Sequence, residues 1–308
     1  MNVLVTGGAG FIGSHLVRQL LAEGHVVTVL DNLSTGVREH LPAAGFTFWK
    51  QDIRDQVVVQ QIIYEKFDAI VHLAAQTMVD ASIRDPRFDA DENVMGLLNI
   101  LEAARLSGVR RVLFASTAAA YGDVQAADLP IREEHALQPM SFYGLTKVTA
   151  EHYLALYQQI YGLDYVVLRF ANVYGERQGD SGEGGVISIF AKRMAQGKDI
   201  TIFGDGSQTR DFVYAGDIAA GLCRALVTEQ VNRAYNLSTQ TETSLDELVQ
   251  ILQDISGDEL RVSHGPVREG DIYRSMLCHD MAVQALVWCP EVSLVEGLRR
   301  TYTYFSKG

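Results

Sequence analysis

The chain has 308 residues, 47% of them hydrophobic, with a formal net charge of −12. That is apolar material for one large domain or two closely packed ones, and the acidic balance without a Lys/Arg-rich run argues against a nucleic-acid or anionic-membrane partner. Three widely spaced cysteines without a CxxC, no basic leader and no 18-residue apolar span predict a cytoplasmic protein without a disulfide framework.

Val3, Leu4 and Val5 form a short apolar run, as a strand buried on both faces does. Gly7, Gly10 and Gly13 follow at three-residue spacing, and Ile12, Leu16, Leu20 and Leu21 then recur at helical spacing. Strand, glycine turn and helix in that order let a pyrophosphate sit on a helix N-terminus, because no Cβ holds it off. Val26–Leu30 reads as a second apolar strand closed by Asp31. A carboxylate there can accept bonds from a ribose diol and repels a 2′-phosphate, which favours NAD over NADP. Further strands are expected at Phe46–Lys50, Ala69–Leu73, Val112–Ser116 and Tyr165–Arg169. Helices are expected at Gln56–Lys66, Asp89–Ser107 and Gly144–Tyr161. Such alternation predicts an α/β fold with a doubly wound parallel sheet and helices on both faces.

After about Gly175 the texture changes. Gly179–Gly185 reads as a loop, followed by a helix at Val186–Gln196, a strand at Asp199–Ile202, a polar bend at Gly204–Thr209 and the extended pair Phe212–Val213. Helices at Ala215–Val227 and Ser244–Ile255 flank a strand at Ala234–Leu237, and Leu294–Phe305 reads as a last amphipathic helix. The expected division is a cofactor domain over residues 1–174 and a smaller substrate lobe over 175–308, with the stretch near 205–240 returning to the first domain.

Tyr143-Gly-Leu-Thr-Lys147 places a phenol and an amine one helical turn apart on one face. A phenol with a pKa near ~10 is a poor base at neutral pH, and lowering it by about three units takes roughly 4 kcal/mol of differential stabilisation. A lysine ammonium and a positive nicotinamide ring can supply it. Ser116 and Thr117 end the preceding strand. Either hydroxyl can relay a hydrogen bond between a substrate oxygen and the phenolate, and either can simply satisfy backbone groups. His72 reads as a core histidine, and the eight histidines show no metal-binding spacing, so no metal is expected.

These segments resemble, over essentially the whole chain, the extended short-chain dehydrogenase/reductase family, and within it the UDP-glucose (UDP-galactose) 4-epimerases. The stretch Thr6–Gly13, with Gly7, Gly10, Phe11, Ile12 and Gly13, is similar to the family's cofactor loop. Leu30–Gly36, with Asp31, Asn32, Ser34, Thr35 and Gly36, is similar to its adenosine-ribose segment, and Gln51-Asp52-Ile53 to its adenine contact. His72–Gln76, with Leu73, Ala74, Ala75 and Gln76, resembles the turn after its fourth strand, and Asn93 opens a segment like its next helix. Arg169–Gly175, Gly204–Val213 and Arg268–Asp271 resemble its substrate side.

The resemblance implies a Rossmann-like fold and an NAD that stays bound and is regenerated each cycle. Ser116, Tyr143 and Lys147 would also meet the cofactor. Aligning Tyr121-Gly122 with the family's fixed pair makes Thr117, rather than Ser116, the catalytic hydroxyl beside Tyr143 and Lys147. Asn172, Arg210 and Arg268 would contact the nucleotide diphosphate, Asp271 the uridine ribose, and Val186 and Ser275 the substrate, with Ser275 gating room for an N-acetyl group.

In the implied reaction Tyr143, as phenolate, takes the proton of the sugar 4-hydroxyl. Hydride leaves C4 for NAD and returns to the other face of a 4-keto sugar. Related dehydratases carry acid/base groups just after the threonine; Ala118 and Ala119 stand there in this chain, which disfavours elimination. The expected activity is UDP-glucose/UDP-galactose 4-epimerisation in a homodimer paired through two helices. UDP-N-acetylhexosamine or UDP-uronate epimerisation, or NAD sensing without catalysis, are the alternatives; the presence of both Tyr143 and Lys147 weighs against the last.

Overall fold

The structure is a computed structural model describing residues 1–179, 185–257, 261–267 and 272–307. The strands in chain order are β1 (Asn2–Thr6), β2 (Val26–Leu30), β3 (Phe46–Trp49), β4 (Ala69–His72), β5 (Arg111–Thr117), β6 (Asp164–Phe170), β7 (Asn172–Tyr174), β8 (Ile200–Phe203), β9 (Thr209–Arg210), β10 (Phe212–Tyr214), β11 (Arg233–Leu237), β12 (Thr243–Ser244) and β13 (Val262–Gly265). The helices are α1 (Phe11–Ala22), α2 (Gln56–Glu65), α3 (Val79–Arg84), α4 (Pro86–Ala90), α5 (Gly96–Ser107), α6 (Phe142–Tyr161), α7 (Val186–Ala195), α8 (Ala215–Val227), α9 (Leu245–Ser256), α10 (Asp280–Leu286) and α11 (Leu294–Ser306).

Seven parallel strands form the central sheet in the order β11-β6-β5-β4-β1-β2-β3. Val3–Val5 and Ala69–Val71 are fully buried, as strands covered by helices on both faces must be. The chain runs outward from β1 to β3, then crosses back to β4 on the other side, so the direction of winding switches between β1 and β4. Ligands bind in the crevice beyond the strand ends at such a switch. The register sets what meets there. Thr6 lies opposite Leu30 on one side and His72 on the other, so the glycine turn, Asp31 and Leu73 all leave the sheet at one level. A separate core, with Ile187, Phe190, Ile202, Leu248 and Leu298, supports the shorter elements of the C-terminal half.

The spans of β2 and α8 agree with their apolar patterns, and most other elements agree to within two residues. The long helix expected over Asp89–Ser107 is instead α4, a π turn at Asp91–Met95, and α5. A Cβ on Gly96 would lie 2.4 Å from the Ile53 side chain, so α5 packs hard against the segment after β3 at this glycine. π turns of this kind recur at functional sites. The short elements α3, β7, β13 and α10 were not expected, because none spans enough residues to show a period.

Candidate functional site

The glycine turn is built for close approach. Gly7 has φ +68°, and a Cβ there would sit 2.7 Å from the Ala74 amide nitrogen. A Cβ on Gly13 would fall 2.2 Å from the Gly7 carbonyl oxygen, so α1 can start only this near the turn without one. Gly10, the residue before α1, makes no side-chain cap, and the helix N-terminus opens into a cavity.

Asp31 stands on the other side of that opening. Its Oδ2 accepts from Ala9 N at 2.9 Å and its Oδ1 from Leu33 N at 2.8 Å. Burial raises its pKa, while those two backbone N–H groups pull it down. Two of its lone pairs brace the loops, and the rest remain for a ribose diol.

One cavity joins these features to the far end of the sheet. Asp31, Asn32, Ser34 and Thr35 line its near end, with Gly7, Gly10, Phe11, Ile12 and Gly13 at the turn. Gln51, Ile53 and the stretch Leu73–Ala75 form a side wall. Ser116, Thr117, Tyr143 and Lys147 line the far end together. Four of the residues expected at the cofactor stand outside the lining. Gly36 packs against Asp31; a Cβ there would meet Oδ1 at 2.7 Å. Asp52 accepts from the Arg54 side chain at 2.8 and 2.9 Å and from Asn32 Nδ2 at 2.9 Å, and the Arg54 guanidinium holds its carboxyl well below the usual range. Gln76 and Asn93 clamp each other: Gln76 N donates to Asn93 Oδ1 at 2.8 Å, and Asn93 Nδ2 donates to Gln76 O at 2.9 Å.

At the far end, Ser141 caps α6 by accepting from Gly144 N at 3.1 Å. The helix therefore starts at Phe142, and Tyr143 lies within its first turn, one turn before Lys147. Lys147 Nζ donates to Ala115 O at 3.0 Å and lies 5.8 Å from the centre of the Tyr143 ring. Burial lowers the Lys147 pKa to about 8, against the fields of Asp89 and Glu151, which raise it.

The two strand-end hydroxyls differ. Ser116 Oγ donates to Glu151 Oε1 at 2.6 Å, and Glu151 is gripped by Arg169 at 2.6 and 3.1 Å. Its proton is spent inward. Thr117 Oγ1 accepts from Ala119 N at 3.1 Å, which leaves its own proton to be donated. His72 is buried beside Thr6, with Nδ1 and Oγ1 2.8 Å apart, and burial lowers its pKa to about 3.

On the substrate side, Asn172 lies exposed on β7 with its amide donating to Asp211 O at 2.9 Å. Val186 opens α7, Arg210 lies on β9 with Nη1 2.8 Å from Thr209 O, and Ser275 is buried. None of these four lines the cavity. Arg268 and Asp271 fall outside the described residues.

Other lining residues carry no sequence signal. Glu92 reaches the wall through the π turn and pairs with Arg54 at 2.9 Å. Gln178 is buried, donates from Nε2 to Val173 O at 3.2 Å, and leaves Oε1 without a partner. A second concavity, walled by Phe203, Pro266, Val267 and Tyr273, holds Gln208 in the same state, with Nε2 2.6 Å from Phe203 O and Oε1 unmatched. Buried acceptors without donors are costly unless a ligand supplies them. Among the described residues no group of three His, Cys, Asp or Glu side chains stands close enough to hold a metal, and no helix is long and apolar enough to cross a membrane.

The model of the NAD dependent epimerase/dehydratase family matches residues 3–238. The chain belongs to that family. It is an NAD-dependent isomerase, and the glycine cradle and Asp31 are the features that fit the dinucleotide. The UDP-glucose 4-epimerase of Mycolicibacterium smegmatis is 42% identical over 310 residues, covering 99% of this chain and 98% of that one. The crystal structure of UDP-glucose 4-epimerase with UDP-glucose from Thermotoga maritima is 41% identical, with a TM-score of 0.96 over 100% of this chain and 99% of that one. The UDP-N-acetylglucosamine 4-epimerase of Methanobrevibacter ruminantium M1, in complex with UDP-N-acetylmuramic acid, is 32% identical, with a TM-score of 0.94 over 99% and 98% of the two chains.

Asp31→Ala is expected to weaken NAD binding by roughly 10- to 100-fold, the worth of one or two hydrogen bonds to a charged acceptor. Titration of the apoprotein with NAD measures it. Unchanged affinity would remove the ribose assignment.

Proposed function

We propose that this protein interconverts the C4 epimers of a UDP-hexose, UDP-glucose and UDP-galactose being the expected pair. The observation that carries the reading is the meeting of Tyr143, Lys147 and Thr117 in the cavity that the glycine turn opens into. The glycine turn and Asp31 would hold NAD, which would supply the acceptor and donor for a hydride at sugar C4. The rest is the work of the side chains. Tyr143 as phenolate removes the proton of the 4-hydroxyl, and returns it when the alcohol re-forms. Thr117 donates to a sugar oxygen beside it, since Ser116 is committed to Glu151. Lys147 supplies the positive charge that favours the phenolate. Ala118 and Ala119 follow Thr117 in a short 3₁₀ turn and offer no acid to protonate a leaving hydroxyl.

In this reading residues 1–174, with the stretch near 205–240 returning to them, serve the cofactor, and the rest of 175–308 mainly the nucleotide sugar. The concavity that Gln208 lines has apolar and aromatic walls that suit the flat face of a uracil. Gln178 adds a polar side chain to the wall of the reaction cavity. Lys147 is the one cation lining that cavity among the described residues, and it is bound to Ala115 O, so no cation there stands ready to pair with a C6 carboxylate. That favours a neutral hexose over a uronate. A 2-acetamido sugar is the second reading, favoured by the small Ser275 and by the likeness to the Methanobrevibacter enzyme.

A panel of UDP-glucose, UDP-galactose, UDP-N-acetylglucosamine and UDP-glucuronate, assayed without reductant and with product stereochemistry resolved, tests the proposal. Inversion at C4 of one of the first two is expected. Turnover of the acetamido sugar alone would select the second reading. NAD binding without turnover of any sugar would make the protein a sensor.

We also place the protein in the cytoplasm as a homodimer. Leu145, Leu156 and Ile160 of α6 and Leu106 of α5 present exposed apolar side chains that a second copy would cover. A monomer by light scattering would remove the dimer.

A further inference from the structure

Lys147 is buried, and each element packed around it presents a definite group. From β5 come the Phe114 ring, 4.8 Å from Nζ, and the Ala115 carbonyl at 3.0 Å. From β4 comes His72, neutral because burial holds its pKa far down. From α6 itself come Tyr143 and Glu151. Glu151 is bound twice by Arg169 of β6, so that pair carries no net charge and its field at Lys147 is that of a dipole.

Asp89, on α4, is different. It is fully buried, and among the described residues no Arg, Lys or His forms an ion pair with it. Its partners are all neutral. Oδ1 accepts from Gln76 Nε2 at 2.6 Å and Asn93 Nδ2 at 3.2 Å, and Oδ2 from Thr146 Oγ1 at 2.9 Å. Thr146 directly precedes Lys147, and its hydroxyl also lies 2.9 Å from the carbonyl oxygen of Tyr143. One side chain thus ties Asp89 to the turn that bears both catalytic groups. Three neutral donors hold a buried carboxylate in place without cancelling its charge.

We infer that Asp89 is the counter-charge of the Lys147 ammonium, a positioning residue that keeps the lysine protonated inside the protein. This rests on the roles proposed above for Tyr143 and Lys147. It gives Asn93 and Gln76 a task as well: they stand behind the cavity wall because they hold Asp89.

The sign of the effect follows. Removing a negative charge beside two coupled acids lowers the proton affinity of both. Asp89→Asn keeps the shape and loses the charge. The whole pH–rate profile should then move to lower pH by about one unit, with the lysine titration. A purely structural role would lower the rate at every pH and leave the profile where it was; that result overturns the inference.

A second measurement needs no activity and no variant at Asp89. Carbon-13 NMR at the Lys147 Cε, assigned by comparison with Lys147→Arg, reads the titration directly in the wild-type protein. A midpoint above pH 7 is expected. A midpoint below it means that the amine is neutral at neutral pH and has no counter-charge, which overturns the inference even if Asp89→Asn does not fold. Should no UDP-hexose be turned over, the epimerase reading falls, and the shift of the Lys147 Cε midpoint between the wild type and Asp89→Asn still decides the role of Asp89.

Discussion

Tyr143→Phe is expected to bind NAD as the wild type does and to lose turnover by roughly 10²–10⁴-fold, the usual worth of a positioned acid–base group. The ring lines the cavity next to Lys147, and the substitution removes one oxygen while leaving the ring in place. The cofactor turn and Asp31 are at the other end and should be untouched. Two measurements separate the effects: NAD affinity by titration, and kcat on the best sugar of the panel. Near-normal kcat would exclude Tyr143 as the base. Loss of NAD binding together with turnover would mean that the ring supports the cofactor rather than the proton transfer. The KM for the sugar should change much less than kcat, because the missing interaction is made chiefly in the transition state.

The largest expected effect on stability comes from Glu151→Ala, at about 3–5 kcal/mol. Glu151 and Arg169 are both buried. Arg169 Nη1 further donates to Tyr121 Oη at 2.8 Å and Glu133 O at 3.0 Å, and Tyr121 Oη donates to Asn236 Oδ1 at 2.8 Å. The network stitches α6, β5, β6 and β11 together behind the catalytic end. Removing the carboxylate leaves a guanidinium in the core with nothing to balance it, and leaves Ser116 without its acceptor. Burying the pair was itself expensive, so replacing both residues with leucines should recover much of the loss. Urea unfolding of the wild type, the single and the double variant measures both steps. A loss below about 1 kcal/mol for the single change would mean that water reaches the site and screens the charge.

The parts legible in the sequence were those with a period or a backbone demand. The alternation of apolar runs with helical stripes gave strands and helices at nearly their observed spans, because most positions of the parallel strands are buried and apolar, with polar residues such as Thr28, Arg111 and Arg169 too few to blur the pattern. The glycine turn was legible because Gly7 and Gly13 stand where any Cβ collides with backbone. The i, i+4 spacing of Tyr143 and Lys147 carried straight into α6. The π turn was not legible: a five-residue turn shows no period of its own, and the contact beside it, Gly96 on Ile53, joins residues far apart in the chain. The choice between Ser116 and Thr117 was also closed to inspection of the strand alone, since it turns on Glu151, a full two helical turns beyond Tyr143. Gln178 and Gln208 had no signal because a buried amide looks like a surface one until its neighbours are known.

The pairing of β11 with β6 has a practical consequence. Arg233–Leu237 covers the outer edge of β6, residue for residue from Val166 to Phe170. A fragment ending near residue 174 would expose that row of amides and carbonyls along a mostly apolar strand, the kind of edge that recruits strands from other molecules. The cofactor half is therefore no free-standing module to be cut out for expression or grafted into a fusion. The chain must reach at least Leu237 before β6 has both of its neighbours, so a ribosome stalled short of that point would hold out a buried strand with one side unpaired.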